Sequence, residues 1–344
     1  MPTTSKTNHS AGNGSTGQKG SLAQYQEIVA LVQEPMQQTE ARLASAFDDA
    51  PPEARQMALH LVQGGGKRVR PLLVLLSARL FTEDVQKAIP VAVAAEMIHM
   101  ATLVHDDVID GAELRRGRPT VGRLWGNVNA VLSGDAVLAR ALLLLVQEST
   151  PAIVEIMSEM LYQMCEGEIV QNARASNLDQ EEDDYFYRIE RKTALFFAAC
   201  CQSGALAVGA PPELAKRLWH FGRAVGMAFQ VIDDLLDVAG DEKVLGKPAG
   251  QDLAEGILTL PVLYLLRHPE HGEQVRALLN GGTPDPAAIA TVVKLARENG
   301  AHEYTYQTAR QFVDEAKGWL EGLPPTPLKE VLISVADFSV ERRL

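Results

Sequence analysis

Two stretches of this chain carry one pattern, Asp106-Asp107-Val108-Ile109-Asp110 and Asp233-Asp234-Leu235-Leu236-Asp237. Each closes an apolar run with almost no turn residues, so each reads as the end of a long buried helix. On a helix the first and last aspartates, four or so positions apart, share a face, and the middle one lies about 100° round. Carboxylates crowded at an apolar helix end repel one another and resist desolvation unless a cation sits between them. Their hard oxygens suit Mg²⁺, which takes one or two carboxylates and fills its other positions with water and substrate phosphate. One such motif reads equally well as a solvated helix end. Two, each followed by cations (Arg115, Arg116 and Arg118; Lys243 and Lys247), point to ions gathered around a diphosphate.

The rest of the composition narrows the class. The 344 residues carry 32 basic and 44 acidic side chains, a net charge of −12, which argues against a nucleic-acid surface. Cys165, Cys200 and Cys201 make no spaced framework and read as buried small hydrophobes in a reducing compartment. Residues 1–20 are polar, lack a signal-peptide core and are expected to be a disordered tail. Ala130–Val146 comes closest to a membrane span but contains Asp135 and Arg140, so a cytoplasmic protein is expected.

Helical periodicity runs through the chain, and no alternating strand bounded by turns interrupts it. Residues 21–344 are therefore expected to form a single-domain, all-α helical bundle, with side chains from facing helices converging on a central site. Gly64-Gly65-Gly66-Lys67-Arg68-Val69-Arg70-Pro71 is a glycine loop with three cations ahead of an apolar helix at Leu72–Phe81. Glycines let backbone approach an anion, although the spacing is not that of a nucleotide-binding P-loop.

With these motifs in order, followed by Gly167-Glu168, Lys192-Thr193 and Gly246-Lys247-Pro248-Ala249-Gly250-Gln251-Asp252, residues 22–344 resemble the trans-isoprenyl diphosphate synthases, or polyprenyl synthetases. The resemblance implies a helical bundle around a deep central cavity, usually in a homodimer. It also implies head-to-tail condensation of isopentenyl diphosphate with an allylic diphosphate. Asp106, Asp110 and Asp233 would bind Mg²⁺, supported by Asp107, Asp234, Asp237 and Asp252. Arg115, Lys192 and Lys247 would hold the allylic diphosphate. Gly66, Lys67, Arg70, His99 and Arg116 would take isopentenyl diphosphate, and Thr193 and Gln230 would lie beside the allylic carbon. For His99, family position rather than helical spacing carries the assignment. One departure stands out: Ile257 occupies a position where the family usually has lysine.

Product length follows from geometry. The positions four and five before Asp106 are Thr102 and Ala101, too small to floor a tunnel, whereas Met97 and Ile98 lie a turn further down. By resemblance to the quinone side-chain enzymes, the expected product is a medium- to long-chain polyprenyl diphosphate delivered transiently to a membrane. A floor from Met160–Gln171 would instead give a geranylgeranyl diphosphate synthase. A subunit of a heteromeric synthase and a class I terpene cyclase are the other readings. The glycine loop and Arg116, a second diphosphate site, argue against the cyclase.

Overall fold

The computed structural model describes residues 26–239, 249–280 and 284–341. Beyond single turns, the helices are α1 (Gln33–Ser45), α2 (Pro52–Val62), α3 (Val69–Arg79), α4 (Ile89–Ile109), α5 (Asn127–Glu148), α6 (Pro151–Ala173), α7 (Glu182–Ile189), α8 (Leu195–Ala207) and α9 (Pro212–Ala239). They continue as α10 (Leu260–Leu266), α11 (Gly272–Leu279), α12 (Pro286–Glu298), α13 (Ala301–Leu320) and α14 (Pro327–Val340). Local chemistry sets many of their starts. Proline occupies the first turn of α2, α4, α6, α10, α12 and α14, where its missing N–H costs nothing. Asp285 caps α12 by accepting from the Ala288 N–H at 2.7 Å. Glu181 and Asp184 form a reciprocal capping box ahead of α7.

The apolar, helix-periodic stretch from about Thr120 to Gln147 is not one helix but two, because Gly126, with φ +84°, ends the short Val121–Trp125 segment before α5. The first motif leads into a minimal antiparallel ladder, Leu114–Arg115 with Arg118–Pro119, closed by Arg116 and Gly117 at φ +52° and +74°. Both turn residues being left-handed matches the tight hairpin turn that suits strand twist.

One buried cluster runs from Ile28 to Val340. Helices α4 and α8 sit inside it and are apolar on nearly every face, as helices surrounded by protein must be. Small residues let α9 close on α8 and on the turn before it. A Cβ on Gly226 of α9 would stand 2.6 Å from the Ala194 Cα, and one on Gly222 would stand 2.6 Å from the Phe197 carbonyl oxygen. That contact brings the end of α9, with the second aspartate motif, against residues 193–197. Immediately before α8, residues Glu190–Ala194 form one π-helical turn, which inserts a residue and turns Lys192 and Thr193 together toward the interior.

Residues Gln86–Ile109, which include α4, and α5 are the described segments long and apolar enough to cross a membrane. The first is core. Helix α5 leaves Val128, Leu132 and Val146 more than half exposed.

Candidate active site

A cavity of about 980 Å³ opens among the glycine loop, α4, α5, α6, the π turn and α9. Asp106 and Asp233 line it, each supplied by the end of a different helix; Asp110, the C-cap of α4, is not on the cavity wall but lies near enough to Asp106 and Lys192 to act on both electrostatically. Burial raises the Asp106 pKa to about 6; Lys192 opposes this, while Glu168 and Asp110 add to it. Lys192 Nζ lies 2.6 Å from Glu168 Oε1. Although burial alone would weaken the ammonium, Glu168, Asp106 and Asp110 together raise its pKa and keep it charged. Here, then, are several carboxylates, one captive lysine and an excess of negative charge. Among the described residues no three carboxylate, histidine or cysteine side chains stand close enough to enclose an ion. The donor set fits a hard divalent cation that draws the rest of its shell from substrate oxygens and water.

Beyond this cluster, the Thr193 hydroxyl donates to Gln230 Oε1 at 2.8 Å, and Gln230 Nε2 donates to Asp234 Oδ1 at 2.7 Å. Thr193 and Gln230 line the cavity; Asp234 lies beneath them, 4% exposed.

Gly66, Lys67, Arg70, His99 and Arg116 line the same cavity. The Arg116 guanidinium donates to the Gly65 carbonyl, and a Cβ on Gly66, where φ is +147°, would meet Arg116 Nη1 at 2.7 Å. A larger residue there would push the arginine's tip aside and take up a backbone conformation that side chains rarely adopt. The Arg70 guanidinium packs 4.6 Å above the Phe196 ring, and its buried Nε has no hydrogen-bond partner among the described residues. Burial lowers the Arg70 pKa from its ordinary value. Burial, then Arg70, Arg116, Arg115 and Arg68, hold the His99 pKa well below the usual range, so its imidazole is neutral. An underpaired guanidinium, a neutral imidazole and a glycine backbone make a pocket built for an anion.

Four expected ligands stand elsewhere. Asp107 is buried and holds Arg115 at 2.6 Å, and both border a smaller cavity beside the main one. Asp234 and Asp237 are buried beneath the cavity surface, and Asp237 Oδ2 accepts from the Asp252 N–H at 3.2 Å, tying that turn to α9. These carboxylates are fixed by protein partners because their helix faces turn inward. Asp252 is likewise not on the cavity wall. Lys247 and the expected tail lie outside the described residues. Arg68, within the glycine loop, is buried between Glu96 at 2.8 Å and Glu40 at 2.6 Å and is structural. Cys165 is not the buried hydrophobe expected: it is exposed on the cavity side of α6, whereas Cys200 and Cys201 are buried.

Glu168 as the partner of Lys192, and Phe197 and Phe229 as cavity wall, are not singled out by spacing. The Gly167-Glu168 pair is the one available signal for the first. Gly167 leaves room for Arg191, whose Cβ would be 2.7 Å from an added Cβ. Ala101 and Thr102 line the cavity as expected, and Met97 and Ile98 are packed out of it. From the facing helix, Leu161, Met164 and Cys165 also contribute.

Residues 51–296 match the family described as Polyprenyl synthetase. The chain is 45% identical over 283 residues to heptaprenyl diphosphate synthase component 2 from Geobacillus stearothermophilus, covering 82% of this chain and 87% of that one. A decaprenyl diphosphate synthase from Rhodobacter capsulatus superposes with a TM-score of 0.86 at 34% identity, over 92% of this chain and 99% of the other. A polyprenyl synthase from Caulobacter crescentus, complexed with calcium and isoprenyl diphosphate, gives 0.86 at 33% identity, over 93% and 98%.

Proposed function

The chain belongs to the polyprenyl synthetase family and is a prenyltransferase, and we propose that it joins isopentenyl diphosphate head-to-tail to an allylic diphosphate, building an all-trans medium- to long-chain product for quinone side chains. The observation that carries this reading is one cavity bordered by two anion-binding groups: Lys192 among carboxylates, and Arg70, Arg116, His99 and Gly66 across the glycine loop.

Lys192 holds the allylic diphosphate with Lys247, and Arg115, bordering the adjoining smaller cavity, adds positive charge from beside it. Lys67, Arg70, Arg116, the Gly66 backbone and His99 hold isopentenyl diphosphate. Asp106, Asp110 and Asp233 would hold Mg²⁺, which when bound neutralises charge building on the departing diphosphate. Asp107, Asp237 and Asp252 support this site by fixing Arg115 and the turn after α9. The carbon–oxygen bond of the allylic substrate breaks beside Thr193 and Gln230, whose oxygens face positive charge. The double bond of isopentenyl diphosphate attacks that carbon, and the proton lost in forming the new double bond passes to the departed diphosphate. The superposing synthase complexed with calcium and isoprenyl diphosphate supports a divalent ion and a prenyl diphosphate here. Retention of Lys192 and both aspartate motifs supports activity despite Ile257.

The small side chains of Ala101 and Thr102 support the longer product. A geranylgeranyl product would need Leu161 or Met164 to act as floor. The exposed apolar face of α5, with Tyr162 and Ile169 of α6, supports a homodimer, which we place in the cytoplasm handing its product to a membrane. Similarity to a protein named as component 2 supports a second reading, in which that face takes a different subunit.

The test is product analysis. Purified protein, Mg²⁺ and labelled isopentenyl diphosphate are incubated with dimethylallyl, geranyl, farnesyl or geranylgeranyl diphosphate, and dephosphorylated products are sized. A long all-trans ladder with a defined end is expected. Termination at the geranylgeranyl length moves the floor to α6, and no elongation by the protein alone favours the heteromeric reading.

A further inference from the structure

Asp234 belongs to the second aspartate motif, yet it does not line the cavity; its carboxylate accepts from Gln230, with Tyr185 and the Arg188 guanidinium also acting on it and Asp233 repelling it. The contact is directional. A carboxylate only accepts hydrogen bonds, so the group 2.7 Å from Asp234 Oδ1 is the Gln230 amide nitrogen. The amide carbonyl oxygen must then point the other way, where the Thr193 hydroxyl donates to it at 2.8 Å. With its hydrogen spent on Gln230, the Thr193 hydroxyl is left with lone pairs on its remaining side. Both residues line the cavity, and Asp234, 4% exposed, is walled off behind them.

Consider the alternative orientation. If Gln230 turned its NH₂ group toward the cavity, two N–H dipoles would face the carbon that becomes positive during ionisation. A glutamine in this place is useful to a developing cation only when its oxygen faces it, and nothing in glutamine itself selects that orientation. The selector is the buried acceptor one helical turn further along α9.

We propose that Asp234 is a positioning residue: it orients the Gln230 amide so that the oxygens of Gln230 and Thr193, and not their hydrogens, face the reacting allylic carbon. This rests on the cavity being the prenyl-transfer site. It departs from a metal-ligand role for the middle aspartate of the second motif, and it separates that residue from Asp233, which lines the cavity.

The test reverses donor and acceptor without changing shape. In Asp234→Asn the new amide can donate to Gln230, releasing its NH₂ toward Thr193. In Gln230→Glu two carboxylates confront each other with no donor between them. In the double variant, D234N/Q230E, the amide introduced at position 234 donates to the carboxylate introduced at position 230. That carboxylate again presents an oxygen to Thr193 and the cavity. Each single variant is expected to lose about 10- to 100-fold in kcat, and the double variant to regain about tenfold or more over Gln230→Glu. Affinity for Mg²⁺ with inorganic diphosphate, measured by calorimetry, is expected to stay within about twofold in Asp234→Asn, since Asp233 and not Asp234 faces the cavity where the ion would sit.

Two results overturn the proposal: loss of Mg²⁺–diphosphate affinity in Asp234→Asn with kcat restored by excess Mg²⁺, or a double variant no better than Gln230→Glu. If Asp234→Asn fails to fold by circular dichroism, the comparison of Gln230→Glu with the double variant decides alone. A wild-type protein that elongates no primer would sink the functional reading instead. The orientation itself would still be readable from the ¹⁵N side-chain amide resonance of Gln230 in glutamine-labelled protein.

Discussion

Lys192 Nζ stands 2.6 Å from Glu168 Oε1, so the lysine proposed to hold the allylic diphosphate is already neutralised by a carboxylate from the neighbouring helix. An incoming diphosphate has to take the ammonium from Glu168, and that exchange weakens binding by the strength of the pair. Partly exposed pairs of this kind are worth about 0.2–1 kcal/mol. Glu168→Gln is therefore expected to lower the apparent KM for the allylic substrate by about 1.5- to 5-fold. Initial rates over allylic diphosphate concentration check it; a raised KM would mean that Glu168 helps to hold the substrate or its ion.

Neighbouring cations in the glycine loop should fail in different ways. Lys67 lines the cavity, and Lys67→Ala is expected to raise KM for isopentenyl diphosphate about tenfold or more while leaving the melting temperature unchanged. Arg68 is buried against Glu96 and Glu40, and removing it strands a buried carboxylate at a cost of about 3–5 kcal/mol. Denaturant titration of Arg68→Ala, beside steady-state kinetics of Lys67→Ala, separates the two roles.

Product length should respond to Ala101 and ignore Met97. Ala101→Phe places a ring in the cavity wall and is expected to shorten the longest product. Met97 is fully buried and faces the core, so Met97→Ala is expected to destabilise by about 2–5 kcal/mol without shifting the product range. Sized reaction products from both variants provide the check; an unchanged ladder in Ala101→Phe would route the tail elsewhere.

Acid should stabilise the metal-free protein over a limited range. The Asp106 pKa stands at about 6 in the folded chain, above its ordinary value of 3.8, chiefly through burial. Above about 6 the buried carboxylate is charged and works against folding. As pH falls from there toward 3.8, the folded state takes up this proton before the unfolded state does, and the penalty is relieved. Melting temperatures recorded in chelator from about pH 7.5 to 4.5 are expected to rise relative to Asp106→Asn, in which the group cannot titrate. Parallel curves for the two proteins would remove the assignment.

The crossing of α8 and α9 is also testable. A methyl group on Gly226 would meet the Ala194 Cα at 2.6 Å, and backbone cannot yield as a flexible side chain can. Gly226→Ala is expected to cost about 1–3 kcal/mol and to lengthen the Thr193–Gln230 contact, lowering kcat more than KM. Urea unfolding together with kinetics would show both effects; a neutral variant would mean that the helices slide apart freely.

Much of this architecture is legible from periodicity. The all-apolar character of α4 and α8 announces buried helices, and prolines in first turns mark several starts. The break at Gly126 is not legible, because one glycine inside an apolar pattern costs little in most contexts and only its positive φ ends the helix. The π turn is equally invisible: inserting one residue leaves composition unchanged, yet it is what turns Lys192 and Thr193 to one side.

Residue type and spacing along single helices are enough to dictate the chemistry on offer: two clusters of aspartates at apolar helix ends, a cationic glycine loop and small residues before the first aspartate. Which members of each cluster meet the cavity is a matter of packing. Asp106 and Asp233 line it, Asp107 turns to Arg115, and Asp234 turns to Gln230. A helix places adjacent residues about 100° apart, and the neighbouring helices decide which of those directions is buried. That partition depends on how α4, α8 and α9 pack, and no local pattern in the chain encodes it.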